Sequence, residues 1–302
     1  SAASDVYKRQ KIDYKINEND TGKTVEGFLK EHGYTHQVLV RLKQTDHGIL
    51  RNGIWAYTNE RLCKDDLITV QIVENECSDN IAPVNLPLDI AYEDDDIIVI
   101  NKPFDMPAHP SAGNHDNTLA NALMYYYGSQ NKPFVYRCIN RLDRDTTGLT
   151  IVAKHALAGG ILGNAVAKRA IHRTYYAVCS GCTPACMRIS APIARKDAST
   201  IERCVDFKRG ENAVTDFIRI KYNPDNNLSL VKLRLLTGRT HQIRVHMKYI
   251  GFPLIGDFLY NPDYTYISRQ ALHSGRLVFT HPVTGQKMNL ISDIPSDMKS
   301  LF

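Results

Sequence analysis

The chain has no apolar run near the roughly 20 residues that a membrane-spanning helix needs. Its first ten residues, SAASDVYKRQ, lack an apolar h-region and do not read as a secretory signal. They are expected to be a disordered leader or an artefact of the sequence. The seven cysteines are few and odd in number, which does not suggest a disulfide scaffold, and a reduced, cytoplasmic protein is expected. Internal repeats and low-complexity tracts are missing too. Acidic residues are absent from 232–248, a stretch that holds five Lys and Arg.

What is present is the composition of an ordinary globular protein, 43% hydrophobic and 23% charged. At 302 residues, one large domain or two is expected. The net charge of +5 is unevenly spread. Residues 137–209 carry 13 Lys and Arg against 5 acids, whereas residues 11–80 carry 9 against 12. The positive field of the central and C-terminal parts suits a polyanionic partner.

Residues 11–76 read as a small separate module. Val25, Phe28 and Leu29 fall at helical spacing before Gly33, and Thr35 can cap a second helix carrying Val38, Leu39 and Leu42. Short strands about Asn52-Gly53 and a closing strand at 67–73 follow. Residues 77–87, with Pro83 and Pro87, read as a linker, and 88–302 form the larger domain. There, 97–100 is a buried strand after the acidic run Tyr92–Asp96. Such a run is more often solvated than metal-binding, and no metal is expected. Helices are expected over 118–127 and 155–171, the latter with Lys168, Arg169, His172 and Arg173 at its end. The pair Cys179 and Cys182 has zinc-like spacing, but no second pair is regularly spaced. Long strands are expected at 213–222 and 228–236. A helix with an Ile243, Met247, Ile250 stripe follows, capped by Thr240.

The densest stretch is Cys138–Lys154, CINRLDRDTTGLTIVAK. It sets Asp143 between Arg141 and Arg144, ahead of a turn and the apolar run 149–153. A carboxylate near guanidinium groups stays ionised where water is scarce, as a carboxylate nucleophile must. A bare Arg-x-Asp would be read as a surface ion pair.

Four segments, YEDDDIIVINKP, NRLDRDTTGLTIVAK, LLTGRTHQIRVHMKYIGFPLIGDFLY and LHSGRLVFTHPVTG, resemble in content and order the RNA pseudouridine synthases of the large-ribosomal-RNA-modifying family. They span about residues 88–290. The resemblance implies an α+β fold with a central mixed, mainly antiparallel sheet. The N-terminal module is similar to the S-four-type RNA-binding module that commonly precedes this domain, though its acidic balance departs from that pattern. Arg41 and Lys43 could form a local basic patch there.

By the same resemblance Asp143 is the catalytic carboxylate, Arg244 its partner, and Arg141 the residue inserted where the target base leaves. The active-site tyrosine falls on Tyr175, with Tyr176 as rival. Lys102, Arg144, Lys168, Arg169, Arg173, Arg239 and His241 are expected to hold RNA. Asn140 stands where the family has His. The implied reaction, uridine to pseudouridine, gains and loses no atom, so no cofactor is expected. Ribosomal RNA or a pre-ribosomal particle is the expected partner of a monomer. Transfer RNA as substrate, or a non-catalytic role in ribosome assembly, are the alternatives.

Overall fold

A computed structural model describes residues 8–74, 77–78, 80–111, 113–197 and 201–302. Elements are numbered in chain order. The N-terminal module comprises β1 (Lys8–Lys15), α1 (Val25–Glu31), α2 (His36–Gln44), β2 (Ile49–Arg51), β3 (Ile54–Trp55) and β4 (Leu67–Glu74). Its sheet runs in the order β1-β4-β2-β3. Thr24 and Thr35 cap the two helices by accepting from the amides of Gly27 and Val38. Asn52 and Gly53 both take positive φ, which a two-residue hairpin requires.

Strand β1 is a correction. It takes in residues 8–10, assigned above to a leader, and pairs with β4 along its length. The alternation of buried Ile12 and Ile16 with exposed Lys11, Asp13 and Lys15 is a strand pattern. Residues 1–7 of the expected leader, and the module end expected at Glu76, lie outside the described residues.

Residues 77–78 and 80–89 lie as a strap on the larger domain. Ser78 donates to the Phe134 carbonyl and Val84 to that of Asn121, while Ile81, Leu86 and Leu88 pack on the core below.

The larger domain continues with β5 (Ile90–Glu93), β6 (Ile97–Lys102), α3 (Leu119–Gly128), β7 (Arg137–Cys138), β8 (Thr147–Ala153), α4 (Ala156–Ala167) and β9 (His172–Ser180). Next are β10 (Cys186–Ser190), β11 (Ile193–Arg195), β12 (Arg203–Val205), β13 (Val214–Asn223) and β14 (Leu228–Leu235). Then α5 (Gln242–Tyr249), β15 (Leu272–Thr280), β16 (Lys287–Ile291) and α6 (Ser296–Lys299) close the chain. The main sheet runs β10-β13-β14-β9-β15-β8-β6-β5, with β16 on β15 and β7 on β8. Its β15–β8 pairing is parallel and the others are antiparallel. The sheet is therefore mixed and mainly antiparallel, as expected.

Strand β8 is buried at all seven positions. Burying Leu149 and Ile151 contributes about 1.5–3 kcal/mol each. At its parallel contact a Cβ on Gly148 would lie 2.3 Å from the Ser274 carbonyl oxygen, and φ is +106°, so only glycine fits. Helix α4 stops four residues earlier than expected. Arg169 takes φ +58° just past its end, and His172 and Arg173 belong to β9 instead. Among the described residues no helix is long and apolar enough to cross a membrane.

The module rests on α4. Leu157 is part of the module's own core, and Ala156, Ile161 and Val283 pack against it.

Candidate active site

The turn between β7 and β8 carries the charges of the focal stretch. Asn140, which lacked an explanation in the sequence, is buried at its start. Its Nδ2 donates to the Leu149 carbonyl at 3.2 Å and its Oδ1 accepts from the Ile151 amide at 2.8 Å. The side chain thus bonds the turn to β8 at both of its polar ends. Leu142 enters the core beside Tyr175, Ile243 and Met247. On either side of it Arg141 is exposed, and Asp143 keeps a side chain 29% exposed to the cleft.

Lys102 is a second correction. It is 1% exposed, out of reach of RNA. Its Nζ donates to the carbonyls of Pro103, Met106 and Arg144, each at 2.8 Å. An ammonium has three donors and no acceptor, so three converging carbonyls saturate it. Lys102 therefore supports the Asp143 turn from behind. Burial pushes its pKa down to about 7, against the pull of Asp145 and Asp143.

Arg244 reaches Asp143 from α5. Its Nη1 donates to Asp143 Oδ2 at 2.9 Å. Nε and Nη2 hold Asp257 in a bidentate pair at 2.7 and 2.8 Å. Asp257 is fully buried, and its Oδ1 also accepts from the amides of Leu259 and Tyr260. The guanidinium lies 4.9 Å from the Tyr260 ring centroid and 5.4 Å from that of Phe258. Burial opposes its charge, but the two carboxylates more than offset that and raise its pKa.

His241 begins α5 with φ +57° and makes no side-chain cap. Thr240 is not the cap either. The Gln242 side chain instead accepts from the Arg239 amide and the Thr237 hydroxyl. His241 Nδ1 lies 2.9 Å from the Tyr260 hydroxyl, and Nε2 is 3.9 Å from Asp143. Burial lowers its pKa, which favours the neutral ring.

The cleft above these groups has a volume of about 1040 Å³ and is lined by Arg141, Asp143, Arg169, Arg173, Arg239 and His241, among others. Tyr175 lines a smaller adjoining pocket with Asp143 and Arg244. Strand alternation separates the two tyrosines. Tyr175 packs on the face holding Leu142 and Ile243, and Tyr176 on the opposite face with Val178. Arg144 is exposed at the rim but is held by Asp145 at 3.0 and 2.9 Å. Lys168 is exposed past the end of α4 and does not line the cleft.

Three participants went unassigned in the sequence reading. Asp257 and Tyr260 sit in GDFLY, within a quoted segment, with no local sign that they face Arg244. Arg234 lies on the wet face of β14 and lines the cleft, and the strand alternation could have found it.

Asp94, Asp96 and His281 bring ligand atoms within 4.8 Å of one another. Hydrogen bonds already occupy them. His281 Nδ1 accepts from the amides of Val283 and Thr284, so its proton is on Nε2, which donates to Asp94 at 2.8 Å. His155 likewise accepts from Ala158 on Nδ1 and donates from Nε2 to Asp96 at 2.9 Å. These tautomers make a structural network rather than open ligands. Among the described residues the cysteines form no such cluster.

Residues 96–249 match the family model described as RNA pseudouridylate synthase. An uncharacterized RNA pseudouridine synthase of Bacillus subtilis (strain 168), YjbO, is 38% identical over 281 residues, covering 92% of this chain and 98% of the relative. The ribosomal large subunit pseudouridine synthase D of Haemophilus influenzae is 41% identical over 245 residues, 76% of this chain and 75% of that one. Among solved structures, human RNA pseudouridylate synthase domain containing 1 superposes with a TM-score of 0.58 at 26% identity. The superposition covers 68% of this chain and 83% of that one.

Proposed function

This chain belongs to the RNA pseudouridylate synthase family, and on that premise we propose that it isomerises specific uridines of large-subunit ribosomal RNA with Asp143 as the reacting carboxylate. The observation that carries this reading is the Asp143 carboxylate, open to a basic cleft and bonded at 2.9 Å to a buried arginine. The ribosomal substrate is supported by relatives named for the large ribosomal subunit. The enzyme acts as a monomer in the cytoplasm, on free RNA or a pre-ribosomal particle.

The target uridine first leaves its stack, at a cost of roughly a few kcal/mol. Arg141, exposed at the cleft, takes the vacated space. Arg169, Arg173 and Arg239 hold the backbone through salt-sensitive contacts. Asp143 then attacks C1′, to be displaced when C5 bonds there, or it removes the C2′ proton and returns it as the new bond forms. Either way the N1–C1′ bond breaks, uracil rotates, and C5 bonds to C1′. Tyr175 stacks on the base, and it or a water takes the C5 proton. Arg244 holds Asp143 in position through the 2.9 Å bond from Nη1 to Oδ2. Neutral His241 adds no second charge beside it. Lys102 and Asn140 keep the turn in place.

The test is tritium release from C5 of uridine-labelled 23S-type ribosomal RNA. Wild type releases tritium and Asp143→Asn is slower by at least about 10³-fold, with RNA binding retained. Release unaffected by the substitution removes Asp143 from the chemistry. Release from transfer RNA alone moves the substrate.

A further inference from the structure

The main cleft continues over Gly238–Thr240 into a second groove of about 490 Å³. Four arginines line it, Arg195, Arg203, Arg209 and Arg239, with one acid, Glu211. Its outer wall is the two-stranded ribbon β11–β12, in which Arg195 and Arg203 are direct cross-strand partners. Residues directly opposite on an antiparallel pair project to the same face, and like charges placed so repel. An anion between them converts that repulsion to attraction.

The ribbon is anchored. Ile193 and Val205 pack beside Val245 of α5, and the Arg203 amide donates to the Tyr260 hydroxyl at 2.9 Å. Three of the four arginines are partly answered, and Arg203 Nη1 donates to the carbonyls of Ile201 and Glu202, each at 3.2 Å. Arg209 bonds Asp206 and Asp197 at 2.7 and 3.0 Å. Arg239 pairs with Glu211 and also donates to the Asn212 carbonyl. Arg195 is exposed at the end of β11. Arg239 lines both spaces, so a strand held at Asp143 can run on past it without leaving positive surface.

We propose that this groove is a second RNA-backbone subsite, which takes phosphates of the strand flanking the reacting uridine. The proposal rests on the RNA-modifying reading above and adds a place for RNA beyond the cleft at Asp143. Recognition there is of phosphate and is indifferent to sequence.

The test uses a fluorescein-labelled 18-nucleotide oligouridylate and the full chain, with affinity followed by anisotropy from 50 to 200 mM salt. Arg195→Gln is compared with Arg276→Gln, an exposed position on β15 that removes the same charge elsewhere. Arg195→Gln weakens binding by about tenfold and flattens the salt slope by about 0.7, the share of one single-strand phosphate. Arg276→Gln stays near wild type. Identical behaviour of the two variants overturns the groove alone. A wild type that binds no oligouridylate overturns the groove and the RNA reading together. The assay needs no turnover, so it stands apart from the tritium test of Asp143.

Discussion

Arg244 grips Asp257 through Nε and Nη2, at 2.7 and 2.8 Å, inside the protein. That grip fixes the plane of the guanidinium and aims Nη1 at Asp143. Asp257 is fully buried and does not reach the cleft. Asp257→Asn keeps the shape but leaves the buried charge with one carboxylate. Breaking a buried pair costs about 3–5 kcal/mol, so urea denaturation should show a loss of that order. Single-turnover rate at saturating RNA should fall by about 10²-fold, because Asp143 loses its fixed partner. RNA affinity should hold within about threefold. A rate equal to wild type in the folded variant would separate Asp257 from catalysis.

Residues inside long motifs were legible in the sequence, and residues paired by tertiary return were not. Asp143 and Arg244 lie 101 positions apart, yet each sits in a motif specific enough to assign. Asp257 pairs with Arg244 only because the loop after α5 turns back, which no local pattern records. Lys102 was misread as an RNA contact from its charge. Its spacing told otherwise, since Ile98, Ile100 and Lys102 fall on one face of β6 and the two isoleucines are in the core. Strands β11 and β12 are three residues each, too short for alternation to reveal. The end of α4 was invisible because Arg169, not glycine, takes the left-handed position.

Lys102 gives a prediction with a pH signature. Its folded pKa is about 7 against an ordinary 10.5. Between those values the unfolded chain binds more protons, so this group makes stability rise with pH. Below pH 7 both states are protonated and the burial penalty is present in full. Lys102→Met removes the titration and leaves three carbonyls without their donor. Wild type should therefore gain on Lys102→Met by roughly a few kcal/mol between pH 7 and 10. Urea denaturation of both proteins across that range measures it. The variant should also lose rate more than RNA affinity, since the carbonyl of Arg144 is one of the three. A stability difference that stays flat with pH would contradict the titration.

The docking of the module on α4 separates affinity from chemistry. Deleting residues 1–80 is a blunt test, because it uncovers Leu157, which is buried in the module's core. Gly160→Leu is cleaner. A Cβ at Gly160 would already lie 2.9 Å from Thr35 Cγ2, and one at Gly33 2.6 Å from Ile161 Cγ1, so helix and module touch where only glycine fits. Leucine improves helix propensity by about 1 kcal/mol over glycine, so any loss belongs to the wedge. The wedge lifts the module, and the 77–87 strap becomes a site of limited proteolysis. A module no longer held at fixed distance contributes less effective concentration for RNA, and affinity should fall about three- to tenfold. Single-turnover rate at saturating RNA should stay within about twofold, because α4 meets the cleft at its other end, near Arg169. A rate that falls as far as the affinity would show that the module acts on the Asp143 turn and not on RNA alone.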